Sequence, residues 1–65
     1  MKIEINGVPR EVKSASLDAA LTELGFAEAK VATALNGDFV PAQARPRTQL
    51  KEGDRLEVLG PMQGG

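Results

Sequence analysis

Alternating apolar and polar residues at the start of the chain predict a β-hairpin. Apolar side chains at positions 1, 3 and 5 alternate with polar ones at 2, 4 and 6, the period of a half-buried strand. Asn6-Gly7 follows, and both residues tolerate the positive φ angles of a tight turn. The return strand, predicted over 8–13 with Val8 and Val12 on one face, contains Pro9. Since proline cannot donate to a ladder, we expect this strand at an edge of the sheet.

The next segment predicts one amphipathic helix. Ser16 is suited to cap its start, and Asp18 places a negative charge near the positive end of the helix dipole. Gly25 stands where a left-handed stop is favoured, so the helix has about two turns. Its apolar stripe, at spacings i, i+3, i+4 and i+7, comprises Leu17, Ala20, Leu21 and Leu24.

The second half of the chain predicts another hairpin and a last strand. Residues 31–35 alternate in type, Asn36-Gly37 offers a second turn, and a short return strand ends at Pro41. Residues 42–49 lose all periodicity, so we expect an irregular connection in which Arg45 and Arg47 are solvated. Residues 55–59 alternate again and predict the last strand.

The order of hairpin, helix, hairpin and strand predicts an α+β fold. A right-handed crossover lays the helix over one face of a mixed sheet of about five short strands, with the last strand central and parallel to the first. This arrangement is the β-grasp. We predict a domain over 1–59 and a flexible tail over 60–65. The predicted core consists of Ile3, Ile5, Val12, Leu17, Leu21, Leu24, Leu35, Leu56 and Val58.

The composition argues against intrinsic catalysis. The 65 residues include no cysteine and no histidine, which removes a thiolate nucleophile, most structural zinc sites and the commonest general base. A net charge of −1 gives no attraction to phosphate backbones. We therefore expect a non-enzyme with no bound metal and no nucleic-acid partner. The chain shows no membrane-spanning run and no signal-peptide core, so we expect a cytoplasmic protein without membrane contact.

The tail ends in Gly64-Gly65. Two residues without Cβ atoms form the thinnest peptide available, able to enter a narrow channel in another protein. The terminal carboxylate is ionised near neutral pH and is a poor electrophile. It must be activated, for instance as an acyl adenylate, before a sulfur nucleophile can displace AMP. A frayed terminus would have the same composition, so two glycines alone leave both interpretations open.

Four segments resemble the thiamine-biosynthesis sulfur-carrier family (ThiS), in its order and at its spacing. They are residues 5–7 (Ile-Asn-Gly), 34–41 (Ala-Leu-Asn-Gly-Asp-Phe-Val-Pro), 50–54 (Leu-Lys-Glu-Gly-Asp) and 62–65 (Met-Gln-Gly-Gly). The resemblance covers essentially the whole chain and implies a ubiquitin-like β-grasp. It also implies that this chain binds no cofactor and is a carrier for other enzymes.

The resemblance assigns the chemistry to Gly65. An adenylyltransferase of the ubiquitin-activating type would use ATP and Mg²⁺ to adenylate this glycine. Sulfur from a cysteine desulfurase or another donor would replace AMP and leave a thiocarboxylate (1-thioglycine), and thiazole synthase would take that sulfur into the thiazole ring. The residues threaded into the partner would be Gly64, Gln63, Met62 and Pro61.

Phe39 and Leu59 are candidate docking residues, although Phe39 is equally suited to the core. Odd-even counting places Leu59 on the face opposite Leu56 and Val58. The small side chains of Ala32 and Ala34 would leave that face flat. Three other functions stay open: a carrier for molybdopterin synthesis, a ubiquitin-like protein modifier, and a nucleic-acid-binding β-grasp module in which the Gly-Gly end is irrelevant.

Overall fold

A computed structural model of the chain describes residues 1–26 and 30–60. Within these residues the predicted order of hairpin, helix, hairpin and strand is confirmed. The elements are β1 (Lys2–Ile5), β2 (Val8–Glu11), α1 (Leu17–Glu23), β3 (Ala32–Leu35), β4 (Asp38–Val40), a 3₁₀ helix (Ala42–Arg47) and β5 (Arg55–Leu59).

The strands of the described residues form one mixed sheet in the order β2-β1-β5-β3-β4. The last strand, β5, lies in the centre, parallel to β1 and antiparallel to β3. The edge position that Pro9 predicts for β2 is also confirmed. Together with α1 over one face, this topology is the predicted β-grasp.

Both Asn-Gly pairs form the predicted turns. Asn6 and Gly7 have φ angles of 51° and 85°, and Asn36 and Gly37 have 51° and 89°, so each pair supplies the two left-handed residues that a type I′ hairpin requires. The asparagine side chains also reach the central strand. Asn36 accepts a hydrogen bond from Arg55 N at 2.9 Å through Oδ1. Both turns therefore contribute to sheet assembly as well as to reversing the chain.

Helix α1 begins at its predicted cap and buries three of the four residues of its predicted stripe. The Ser16 hydroxyl accepts a hydrogen bond from Ala19 N at 3.2 Å, which satisfies one of the free amides of the first turn. Gly25 ends the helix with a φ of 94°. Leu17, Ala20 and Leu21 are buried, whereas Leu24 is half-buried.

The carboxylate of Glu23 fastens the end of α1 to the segment that follows β2. It accepts hydrogen bonds from Lys13 N at 3.0 Å, from Ser14 N at 3.1 Å and from the Ser14 hydroxyl at 2.8 Å. The bond from the Ser14 hydroxyl, followed by that from the Lys13 amide, lowers the pKa of Glu23 because these donors favour the charged form. This exposed carboxylate therefore links the C-terminal end of α1 to the segment that joins β2 to α1.

The core lies between α1 and the sheet and extends beyond the predicted set. Leu24 and Leu35, which were predicted inside, are only half-buried at its border. Val40 and Leu50 are buried although neither lies on a predicted apolar face. The buried apolar residues are Ile3, Ile5, Val12, Leu17, Ala20, Leu21, Val40, Leu50, Leu56 and Val58.

The prediction of an irregular connection over residues 42–49 is wrong for residues 42–47, which form the 3₁₀ helix. The prediction of a solvated Arg45 is also wrong. Its guanidinium is half-buried and donates to Thr33 Oγ1 at 3.1 Å and to Val31 O at 2.7 Å. Arg47, by contrast, is exposed as expected. Arg45 therefore ties the connection to β3 through hydrogen bonds that a local sequence pattern does not reveal.

Strand β2 is shorter than predicted, since it ends at Glu11 instead of Lys13. Val8 was expected to share a face with Val12. It does lie opposite buried Ile5, on the core-facing side of the sheet, yet it is 57% exposed whereas Val12 is fully buried. Val8 lies directly after the first turn on an edge strand, all of whose residues are exposed.

In the part of the chain described, no helix is long and apolar enough to cross a membrane.

Candidate functional site

The exposed face of the sheet, opposite α1, presents a group of apolar side chains. Along β5, Leu56 and Val58 are buried while Leu59 is 66% exposed. The predicted placement of Leu59 opposite Leu56 and Val58 is therefore confirmed. Phe39 on β4 is 70% exposed, so it is a surface residue and not part of the core.

Strand register brings these exposed residues onto one surface. Ala34 lies opposite Phe39 on one side and opposite Glu57 on the other, and Ala32 lies opposite Leu59. Residues directly opposite each other across a ladder share a face of the sheet. We call this surface the outer patch; it consists of Ala32, Ala34, Phe39, Glu57 and Leu59, which line one shallow depression.

The shape of the outer patch follows from its side chains. Ala32 and Ala34 are half-buried and form a low floor, while Phe39 and Leu59 rise from the strands on either side of β3. A single exposed apolar residue is ordinary on a protein surface. Two large ones beside a flat apolar floor are typical of a surface that another protein covers. The outer patch is therefore the candidate docking site of this chain.

The outer face is polar on the other side of β5. Glu4 on β1 lies opposite Arg55 at the start of β5, and both side chains are exposed. Glu57 follows Arg55 on the same face and stands at the boundary, since it lines both the apolar depression and a groove between the two Asn-Gly turns. The outer patch thus carries one carboxylate beside its apolar side chains.

Glu57 is the member of this surface that the sequence did not predict. Its signal was present, because the period of two in β5 places Glu57 on the same side as Leu59. The sequence pattern does not reveal the register between β5 and β3, which places Glu57 opposite Ala34.

The outer patch lies beside the start of the tail. β5 ends at Leu59, and Gly60 has a φ of 143°, a conformation that residues with a side chain rarely adopt. An extended chain from Gly60 to Gly65 would reach about 20 Å. An enzyme acting on Gly65 would therefore be close enough to contact the outer patch as well. The predicted tail residues Pro61, Met62, Gln63, Gly64 and Gly65 lie outside the described residues.

The buried carboxylate of Asp54 has a structural role. It accepts hydrogen bonds from Lys51 N at 2.7 Å and from the Asn36 side chain at 3.0 Å, and so it shapes the turn before β5. Within residues 1–26 and 30–60, no group of three or more Asp or Glu side chains is placed to hold a metal ion.

Two curated proteins resemble this chain at 36% sequence identity. The first, a thiazole synthase of Paramagnetospirillum magneticum, matches the whole chain, which spans only 20% of the length of that enzyme. The second is the sulfur carrier protein ThiS of Thermus thermophilus, where the match covers 94% of this chain and 95% of the relative.

Solved structures show the same fold. The crystal structure of the thiamine biosynthesis protein ThiS from Geobacter metallireducens superimposes with a TM-score of 0.82 at 35% identity and covers all of both chains. The solution structure of a thiamine biosynthesis protein from that organism gives 0.76, covering all of this chain and 88% of the other. The model of the ThiS family matches residues 3–65. The chain belongs to the ThiS family and has its ubiquitin-like β-grasp fold.

Proposed function

We propose that this chain is a sulfur carrier in thiamine biosynthesis, a co-substrate of partner enzymes and not itself an enzyme. The observation that carries the proposal is the family match, which runs through Gly65. The Thermus carrier supports it, since that relative corresponds to this chain over 95% of its own length.

The proposed reaction takes place on the carboxylate of Gly65. One carboxylate oxygen attacks the α-phosphorus of ATP, held with Mg²⁺ in the partner adenylyltransferase, and pyrophosphate leaves. A sulfur nucleophile then attacks the carbonyl carbon, and the bond to the AMP oxygen breaks. With hydrosulfide as the nucleophile, the products are the thiocarboxylate, AMP and a proton. A cysteine desulfurase or another donor supplies the sulfur.

The glycines of the tail are suited to this task. Because neither Gly64 nor Gly65 has a Cβ atom, the peptide is slender and its last carbonyl is unhindered on both faces. The residues before them, Pro61, Met62 and Gln63, would line the channel through which the tail enters the partner. In this proposal the globular domain docks on the enzyme, and the tail carries the reacting carbon into the active site.

Thiazole synthase is the proposed acceptor of the sulfur. The thiazole synthase of P. magneticum contains a segment that matches all of this chain. Joining a donor to its acceptor in one polypeptide raises their effective concentration, so this arrangement supports a direct transfer between the two. The thiocarboxylate sulfur of Gly65 would attack an electrophilic carbon of the thiazole precursor held by that enzyme. Hydrolysis of the bond between the sulfur and the Gly65 carbonyl carbon would then leave the sulfur on the precursor and return the carrier as its carboxylate.

The test is the mass of the intact protein after incubation with the adenylyltransferase, MgATP and a sulfur donor. We expect a gain equal to the exchange of one oxygen for sulfur, confined by fragmentation to Gly65, and dependent on ATP. The same spectrum establishes whether Gly65 carries the terminal carboxylate. A matched control has one tryptophan appended after Gly65, and it should fold normally yet gain no sulfur. A thiocarboxylate on the control, or none on the native chain, would overturn the proposal.

A further inference from the structure

Glu57 places a negative charge in a surface that is otherwise suited to apolar contact. It shares the outer patch with Phe39 and Leu59, and its side chain is exposed. Within the described residues, its carboxylate takes part in no ion pair and no hydrogen bond. The nearby cation of Arg55 belongs to the polar side of the face, opposite Glu4.

The carboxylate restricts what can cover the outer patch. Glu57 lies next to Leu59 along the same face of β5 and is separated from Phe39 by Ala34, so a protein that packs on Phe39 and Leu59 also covers Glu57 and removes water from it. An ionised carboxylate that loses water without gaining a partner strongly opposes binding. An apolar partner surface would therefore be rejected, and an acidic one would be repelled. A cationic side chain facing Glu57 satisfies the charge.

We propose that the enzyme that activates the tail recognises the outer patch through an arginine or lysine that pairs with Glu57, surrounded by apolar side chains that cover Phe39 and Leu59. This inference rests on the proposed function and adds a specificity-determining residue to it. Arginine is the better suited of the two cations, since its planar guanidinium binds a carboxylate through two parallel hydrogen bonds.

The chain offers a matched control for this charge. Glu4 is exposed on the same face of the sheet and, like Glu57, takes part in no ion pair within the part of the chain described, but it lies on β1 outside the outer patch. Glu57→Gln and Glu4→Gln therefore remove the same charge from the same face. Both substitutions keep the size of the side chain, and neither removes a described hydrogen bond.

The experiment measures ATP–pyrophosphate exchange by the purified adenylyltransferase as a function of carrier concentration. We expect Glu57→Gln to raise KM about 3–10-fold and Glu57→Lys at least about 30-fold, with kcat unchanged, because the charge acts in docking and not in the chemical step. Glu4→Gln should stay within about twofold of the native chain, as a charge at the rim would. Glu57→Gln should also reduce the dependence of KM on salt.

The outcomes separate this inference from the proposed function. If the native chain supports no exchange, the proposed function fails. If it supports exchange but Glu57→Gln behaves like Glu4→Gln, the role of Glu57 is overturned while the carrier function stands. A lower kcat at unchanged KM would likewise contradict a docking role. Urea unfolding of each variant confirms that the domain is intact, and the isosteric Glu57→Gln is decisive if Glu57→Lys misfolds.

Discussion

Asn6 binds the backbone of Val58 through both ends of its side-chain amide. Val58 N donates to Asn6 Oδ1 at 2.9 Å, and Asn6 Nδ2 donates to Val58 O at 3.0 Å. The Asn6 backbone also donates to Leu56 O at 2.9 Å. The side chain thus prolongs the parallel pairing of β1 with β5 past the end of β1. It fixes the strand that carries Leu59 and leads to the tail.

The first prediction concerns this amide. Asn6→Gly removes both side-chain hydrogen bonds but retains a residue that tolerates the φ of 51°. We expect it to lower the free energy of unfolding by about 1–3 kcal/mol, measured by urea denaturation. Asn6→Ala should lose more, since alanine is also strained at positive φ. Native stability in Asn6→Gly would show that the two bonds contribute nothing.

The second prediction concerns Arg45. Arg45→Ala removes the donors to Thr33 Oγ1 and Val31 O, and Thr33 is buried with 1% exposure. We expect a loss of about 1–3 kcal/mol in the free energy of unfolding, because hydrogen bonds to a charged donor are stronger than neutral ones.

The control for Arg45 is Arg47→Ala in the same 3₁₀ helix. Arg47 is exposed, and its described contact is a 3.5 Å bond to Gln43 O. Its removal should change the free energy of unfolding by less than about 0.5 kcal/mol. Equal effects of the two substitutions would contradict the anchoring role of Arg45.

The third prediction is a pH dependence at Glu23. The pKa of Glu23 is lowered in the folded protein by the donors on Ser14 and Lys13. Its contribution to stability is therefore complete above the unfolded pKa, about 4.3, and is lost as the pH falls through the lower folded value. Thermal unfolding at neutral pH should show the native chain more stable than Glu23→Gln, and this difference should shrink below about pH 4. A difference unchanged in acid would contradict the role of the charged form.

The fourth prediction concerns docking by the outer patch. Phe39→Ser should leave the free energy of unfolding within about 0.5 kcal/mol of native, since the ring is 70% exposed. It should raise the KM of the carrier in the activation assay at least about tenfold, as loss of an aromatic anchor at an interface does. Val8→Ser is the matched control, because Val8 is 57% exposed on β2, away from the patch. The KM of the Val8→Ser variant should equal that of the native chain. A rise equal to that of Phe39→Ser would show that docking is not confined to the outer patch.

The local sequence pattern predicted a residue's role correctly wherever that role depends on its neighbours along the chain. The Asn-Gly turns, the Ser16 cap, the Gly25 stop and the edge position of β2 are all confirmed. Each follows from backbone conformations or missing donors that a residue imposes on its own segment. The alternation in β5 likewise placed Leu59 outside and Leu56 and Val58 inside.

The predictions that were wrong or undecided concern side chains whose environment is set by residues far away in the chain. Arg45 resembles any solvated arginine until the fold brings Thr33 and Val31 within reach, and the 3₁₀ helix around it has no apolar period of its own. Phe39 was equally suited to core and surface because a strand of three residues does not say which of its faces is covered.

The sequence by itself therefore determined the five strands, helix α1, their order, the β-grasp and the Gly-Gly pair on which the proposed chemistry depends, because these follow from backbone preferences, short-range periodicity and the residues themselves. Only the tertiary structure decided the register that sets Phe39 and Glu57 against Ala34, and Leu59 against Ala32. That register joins residues from three strands into one surface. Its position depends on long-range pairing, which is settled when the core packs and not by the residues adjacent in the chain.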